Sequence, residues 1–206
     1  MMAGMTDRDL WQRAGQGDAE AYGVLFDRHA RTVYNYCFRR TADWALAEDL
    51  TSVVFLEAWR RRAEVTPESD SILPWLLGVA ANLLRNTRRG LRRYREALAR
   101  IPHPIADLDP ADDIASRLDD EERMRQTLAN IERLSVDEQE VLSLCVWTGL
   151  SYEDAAVALG VPVGTVRSRL HRAEGAPSGT RPRLRTRRGR RGALTRRALK
   201  EGNHHD

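Results

Sequence analysis

The sequence predicts an all-α protein: two small helical domains joined by a flexible acidic linker and followed by a basic, disordered C-terminal tail. Three observations carry this reading. Apolar residues recur at spacings of three and four through most of the chain, while strand-type alternation is almost absent. A Pro- and Asp-rich stretch, IPHPIADLDPADD, interrupts that periodicity near the middle. After Glu174 the pattern gives way to GAPSG and an Arg-rich remainder.

The first helical unit opens with Leu10 and Ala14 and continues through Ala21, Val24 and Leu25. In AYGVLFDRHARTVYNYCFRR the residues Leu25, His29, Val33, Tyr36 and Arg40 repeat at three or four. DWALAEDLTSVVFLEAWRRR is the next helix. Leu46, Leu50, Val53 and Val54 form one stripe, and Phe55, Leu56 and Trp59 lie partly round the other side. A helix apolar on two sides is either fully buried, or buries one side on its own domain and offers the other to a partner. Pro67 marks the connecting loop. Residues 71–89 form a further helix, SILPWLLGVAANLLRNTRR, with Pro74 suited to its first turn. Its inward stripe is Ile72, Leu76, Val79 and Leu83. Asn82, Arg85 and Arg89 share a neighbouring face, with Asn86 and Arg88 beside it. Gly90 either ends this helix or is passed through, with Arg92 to Arg100 continuing it.

The second unit begins near Arg117, with Met124, Leu128, Ile131 and Leu134 in register. Ser135 and Glu138 have the spacing of a capping box and open VDEQEVLSLCVWTG, which Gly149 ends. Ser151 caps the following helix, with Asp154 near its positive end; Tyr152, Ala155, Ala156 and Leu159 make its inner face. Gly160 and Val161 turn the chain, and Pro162 starts the last helix. A short helix, a tight Gly turn and a second helix have the layout of a helix-turn-helix. Val163, Val166, Leu170 and Ala173 can pack inward. The rows Arg167/His171, Ser168/Arg172 and Thr165/Arg169 then point away, offering groups that bind phosphates and base edges. Gly164 lets the backbone approach DNA closely at the helix N-terminus.

Charge sharpens the division. The chain has 206 residues and a net charge of +3, yet residues 181–200 hold ten basic residues and no acid. Residues 1–174 hold 23 basic and 28 acidic residues, so the body is acidic and the tail supplies the high pI. Within the body, residues 85–100 carry seven Arg against Glu96, and residues 107–122 carry eight acids against Arg117. A basic block before an acidic one suggests one surface for polyanions and a separate solvated linker. The tail reads as a solvated segment or a nonspecific nucleic-acid clamp. No run approaches about 18 apolar residues, so no membrane insertion is expected. The first residues lack a signal-peptide core, which makes the cytoplasm the expected compartment. Cys37 and Cys145 lie far apart in apolar patterns and read as reduced core cysteines. No metal-ligand spacing, Gly-rich phosphate loop or nucleophile elbow occurs, so neither a cofactor nor an enzyme is expected.

LSVDEQEVLSLCVWTGLSYEDAAVALGVPVGTVRSRLHRA resembles region 4, the promoter-binding C-terminal domain of extracytoplasmic-function sigma factors. GDAEAYGVLFDRHARTVYNYCFRRTADWALAEDLTSVVFLEAW and WLLGVAANLLRNTRRG are similar to region 2 of the same family. The resemblance covers residues 8–174 in matching order. It implies region 2 at 8–95, a linker at 96–116 and region 4 at 117–174, before the tail at 175–206. It also implies RNA polymerase core enzyme and promoter DNA as partners, an anti-sigma factor as a further one, and no small-molecule substrate.

By the same resemblance, Ala47, Glu48, Asp49, Leu50, Val53, Phe55 and Trp59 match the helix that docks on the polymerase clamp. Trp75, Asn82, Arg85, Asn86, Arg88 and Arg89 match the segment that recognises and opens the minus-10 element; Trp75 could stack on a base there but reads first as a core residue. Arg167, Ser168, His171 and Arg172 match positions that read the minus-35 element, with Thr165 and Arg169 on phosphates. The rival readings are a helix-turn-helix regulator that is not a sigma subunit, and a family member impaired by its altered C-terminus. A regulator of the first kind needs a ligand or phosphoacceptor domain, and the N-terminal half shows no βα alternation.

Overall fold

The computed structural model describes residues 4–67, 70–98 and 112–175, without the side chains of 88–98 and 112–118. The described residues are helical, with no strand among them. Helix α1 (Asp7–Gly15) starts on a Thr6–Asp9 capping box and buries Leu10, Trp11 and Ala14. Asp18 caps α2 (Ala19–Thr41) by accepting from Ala21 N at 3.0 Å. That helix ends on Ala42, a left-handed residue at φ 51° whose N–H donates to Phe38 O. Asp43 then caps α3 (Trp44–Arg61), accepting from Leu46 N at 2.9 Å. Helix α4 (Leu73–Leu98) runs straight past Gly90. So the helix enters the segment expected as linker from residue 96, and α5 (Asp112–Ile131) begins inside it; residues 99–111 and the Arg-rich tail lie outside the described residues.

Ala47, Leu50, Val54, Phe55 and Ala58 of α3 are buried against α2 and α4. Each large side chain among them contributes about 1.5–3 kcal/mol. Trp11 reaches across to donate from Nε1 to Val65 O at 2.7 Å, pinning the loop after α3. The buried polar hub of this unit is Asp7. Its carboxylate accepts from Arg28 at 3.0 Å, Ser71 Oγ at 2.8 Å and the backbone N of Ile72 at 3.2 Å, and lies 2.6 Å from His29 Nε2. One side chain therefore ties α1 to α2 and to the start of α4.

Burial works against the charge on Asp7, but the hydrogen bonds of His29 and Ser71, the charge of His29 and the bond from Arg28 outweigh it. They hold the carboxyl well below the usual range. A carboxyl lowered in the folded state adds stability above its unfolded pKa of about 3.9, and that stability is lost as pH falls below it. Asp7→Asn should cost about 2 kcal/mol at neutral pH, the order of hydrogen bonds to a charged group. It should also flatten the fall in stability below about pH 5. Denaturant unfolding across pH checks this; a parallel pH curve in the variant would remove Asp7 as the acid-sensitive group.

The second unit begins in α5 and continues in α6 (Val136–Leu142), where Ser135 and Glu138 form the capping box that the spacing predicts. Helix α6 runs on as a π-helical turn (Ser143–Trp147) before Gly149 at φ 73°. Ser151 caps α7 (Tyr152–Leu159), accepting from Asp154 N at 3.0 Å, and Gly160 ends it at φ 63°. Helix α8 (Val163–Gly175) follows, and Pro162 supplies the carbonyl that accepts from Thr165 and Val166 rather than the first helical residue.

The two units are in contact. Their buried residues form one continuous cluster, from Leu10 in α1 to Leu170 in α8. The junction is α4 on α7. The α4 stripe is accordingly wider than the spacing suggests: Leu77, Ala80, Ala81 and Leu84 are buried with Ile72 and Leu76, while Val79 and Leu83 are only partly covered. Gly78 makes the approach possible, because a Cβ there would stand 2.5 Å from the carbonyl oxygen of Ala158.

Candidate nucleic-acid interface

Helix α8 is held by Val166 and Leu170, both buried, with Val163 and Ala173 packed at the margins. Arg167, Ser168, His171 and Arg172 are exposed on its outer side. Arg167 makes only a loose ion pair with Glu153 at 3.8 Å, and Ser168 Oγ donates back to Thr165 O at 3.0 Å. Arg172 Nε donates to Glu138 Oε1 at 3.2 Å while staying 63% exposed. The third row departs from the expectation of an open face. Thr165 is half-buried, and Arg169, 17% exposed, is bound to the Asp137 carboxylate. Arg169 braces α8 against α6, because a side chain on the flank of the apolar stripe reaches the neighbouring helix before it reaches solvent.

On α4, Asn82 and Asn86 are exposed. Arg85 is not open in this arrangement. Its Nε donates to Glu140 Oε1 at 2.6 Å and its Nη2 to Glu140 Oε2, a two-pronged pair with a carboxylate that is 2% exposed. Arg88 and Arg89 belong to α4, but their side chains lie outside the described ones. Trp75 is partly buried, with the Trp11 ring tilted against it at 5.7 Å and the Arg61 guanidinium 5.9 Å from its ring centre.

The α3 candidates separate by burial. Ala47, Leu50 and Phe55 are core residues, at 0%, 6% and 5% exposure, so in this arrangement they support the helix from within rather than lie on its surface. Trp59 is wedged between Tyr22, at 5.0 Å, and Arg62, at 3.8 Å. Glu48, Asp49 and Val53 are exposed. Asp49, Val53 and Leu56 follow spacings of four and three and share a face. Leu56 is 59% exposed and Val53 43%. Phe26 of α2, also 43% exposed, packs edge-on against Phe55 at 4.7 Å. Leu56 and Phe26 were missed as candidates. Leu56 had a signal, its three-residue step from Val53, whereas Phe26 has none in its own helix.

Comparison with known proteins follows the same division. Residues 25–94 match the model of Sigma-70 region 2, and residues 125–175 that of Sigma-70, region 4. The chain is 31% identical over 161 residues to the RNA polymerase sigma factor CarQ of Myxococcus xanthus, covering 78% of this chain and 89% of CarQ. It is 29% identical over 171 residues to the ECF RNA polymerase sigma factor BldN of Streptomyces coelicolor, covering 80% of this chain but spanning only 62% of BldN. The fold is similar to that of CnrH, solved in complex with the cytosolic domain of CnrY: TM-score 0.61 and 23% identity, covering 82% of this chain and 92% of CnrH.

Proposed function

The chain belongs to the extracytoplasmic-function group of sigma-70 RNA polymerase sigma factors, and from that membership we propose that it binds core polymerase and directs it to particular promoters. Helix α8 reads the minus-35 element in the major groove, with Arg167, Ser168, His171 and Arg172 as the groups that reach DNA. Helix α4 reads the minus-10 element and captures its unstacked bases, with Asn82, Arg85, Asn86, Arg88 and Arg89 as contacts; that capture offsets part of the stacking and pairing energy lost on opening. Core polymerase docks on the α3 face of Glu48, Asp49, Val53 and Leu56, with Phe26 beside it. The protein supplies recognition rather than a catalytic step, and acts in the cytoplasm.

The observation that carries this reading is the capped α7, the tight turn and α8, with Arg167 and His171 one turn apart and free of the core. Core polymerase supplies what the free chain lacks. It fixes the spacing of the two readers and raises their effective concentration on one promoter. An anti-sigma protein is a further proposed partner; CnrH, of similar fold, is solved in complex with the cytosolic domain of CnrY. Run-off transcription with core polymerase over a genomic promoter library tests the proposal, alongside capture of core by the tagged chain. The expected result is core binding and a defined set of start sites. A chain that binds no core polymerase is a different kind of regulator.

A further inference from the structure

The first turn of α6 carries two successive carboxylates, Asp137 and Glu138, and the flank of α8 carries Arg169 and Arg172, one turn apart. They pair in order, Asp137 with Arg169 and Glu138 with Arg172. The two pairs are not alike. Arg169 is 17% exposed, so its guanidinium is spent between the helices. Arg172 is 63% exposed, while the Glu138 side chain that it meets is only 17% exposed. A largely covered carboxylate therefore grips a side chain whose far end stands in solvent.

Glu138 is fixed independently of Arg172. Its Oε2 accepts from the Ser135 backbone N at 3.0 Å, and its own backbone N donates to Ser135 Oγ at 3.3 Å. The Ser135 backbone and hydroxyl, and then Arg172, hold the Glu138 carboxyl below the usual range, so it stays ionised. Oε1 is left over by the cap and accepts from Arg172 Nε at 3.2 Å. The cap does not require that second bond, since Gln, with a single oxygen, also completes a capping box. The bond matters for the guanidinium, a planar fork of N–H donors. Held at Nε, the fork has its plane set and keeps its Nη1–Nη2 edge free. Such an edge can meet guanine O6 and N7 together.

We propose that Glu138 is a positioning residue for minus-35 recognition: anchored by its own cap, it holds Arg172 at Nε so that the free edge of the guanidinium meets a base edge in the major groove. This role rests on the reading of Arg172 as a minus-35 contact. Arg is long and rich in rotamers, and a loose one loses that freedom when it binds. With Glu138 in place, much of that loss is taken in the folded chain, before DNA arrives. Arg167 and Arg172 then differ in kind, the first free to search and the second set in advance.

The test is initiation by the full chain with core polymerase, on one promoter from the run-off library with its minus-35 element intact or scrambled. The ratio of the two rates reports discrimination. Glu138→Gln separates the cap from the positioning. Its one oxygen serves Ser135 N, which turns the amide N–H groups, donors, toward the Nε donor of Arg172. Glu138→Ala removes both bonds. Thermal unfolding of Glu138→Gln should match the parent's, and its ratio should fall about 2- to 10-fold, the range for ordering one long side chain. Glu138→Ala should lower the ratio at least as far. In the Arg172→Ala chain neither substitution should change the ratio further, because the two residues act as one unit. A ratio that neither variant lowers overturns the proposal. So does the same fall with and without Arg172, which would make Glu138 a helix cap and nothing more. Arg172→Ala alone tests the underlying reading: its ratio should fall roughly 5- to 150-fold. An unchanged ratio there removes Arg172 from the minus-35 contacts and Glu138's role with it, whereas a fall there without any effect of the Glu138 variants removes only Glu138.

Discussion

Leu56→Arg should leave folding intact and weaken binding to core polymerase by about 30-fold or more. Leu56 is the most exposed of the large apolar side chains among the described residues, so the isolated chain gains little from it. Exposed substitutions of this kind change stability by about 0.5 kcal/mol or less. A partner that covers the α3 face changes the balance. Burying Leu56 and its neighbour Val53 against an apolar patch makes them the centre of the contact, where truncations cost about 2 kcal/mol or more. An unpaired guanidinium forced into that patch adds the cost of its desolvation. Titration of labelled core polymerase, with denaturant unfolding as the control, measures both quantities. Equal affinity in the variant and the parent would mean that polymerase docks elsewhere. Leu50→Ala is the contrasting case. It removes a side chain that is 6% exposed and should cost about 2–5 kcal/mol of folding stability, so its loss of polymerase binding would report a damaged core.

That contrast marks how far the sequence could be read. Periodicity located the helices because most bury a continuous stripe, while α5 covers Met124, Leu128 and Ile131 only in part. Caps located their ends, as with Ser135 on Glu138 and Ser151 on Asp154, because the capping bond lies within three residues. What failed was the assignment of faces where one helix meets two neighbours. In α3, Leu50 and Phe55 look as available as Val53 in the sequence, and only the positions of α2 and α4 decide which are covered. The α4 stripe was drawn for one neighbour, whereas Gly78 admits α7 on a second side. The Arg85–Glu140 pair was illegible for a plainer reason: 55 residues separate its partners, and no local pattern reports a contact between units. Polar residues buried at such a junction, Arg40 and Gln139 among them, look in sequence like surface residues. Arg169 was misread on a smaller scale, since its row on α8 flanks the apolar stripe and α6 reaches it.

The same sorting of α8 sets the expected behaviour of Arg167→Ala. Among the three arginines of this helix, Arg169 is committed to Asp137 and Arg172 shares Glu138, while Arg167 has only the loose pair with Glu153, in which both side chains are exposed. Its guanidinium is therefore the most available for a base edge. Ala is at least as good a helix former as Arg, so α8 itself should not weaken. Loss of one two-pronged arginine contact costs about 1–3 kcal/mol of discrimination, or roughly 5- to 150-fold. The reduction should appear in initiation from templates with an intact minus-35 element. It should vanish on templates with that element scrambled, and core polymerase affinity should stay at the parent's value. Arg169→Ala should differ in kind: it unties α6 from α8, so the unfolding transition should shift as well and activity should fall on both templates. If Arg167→Ala lowers initiation equally with and without the minus-35 element, Arg167 is not reading the groove, and the recognition surface has to be sought around His171 and Arg172.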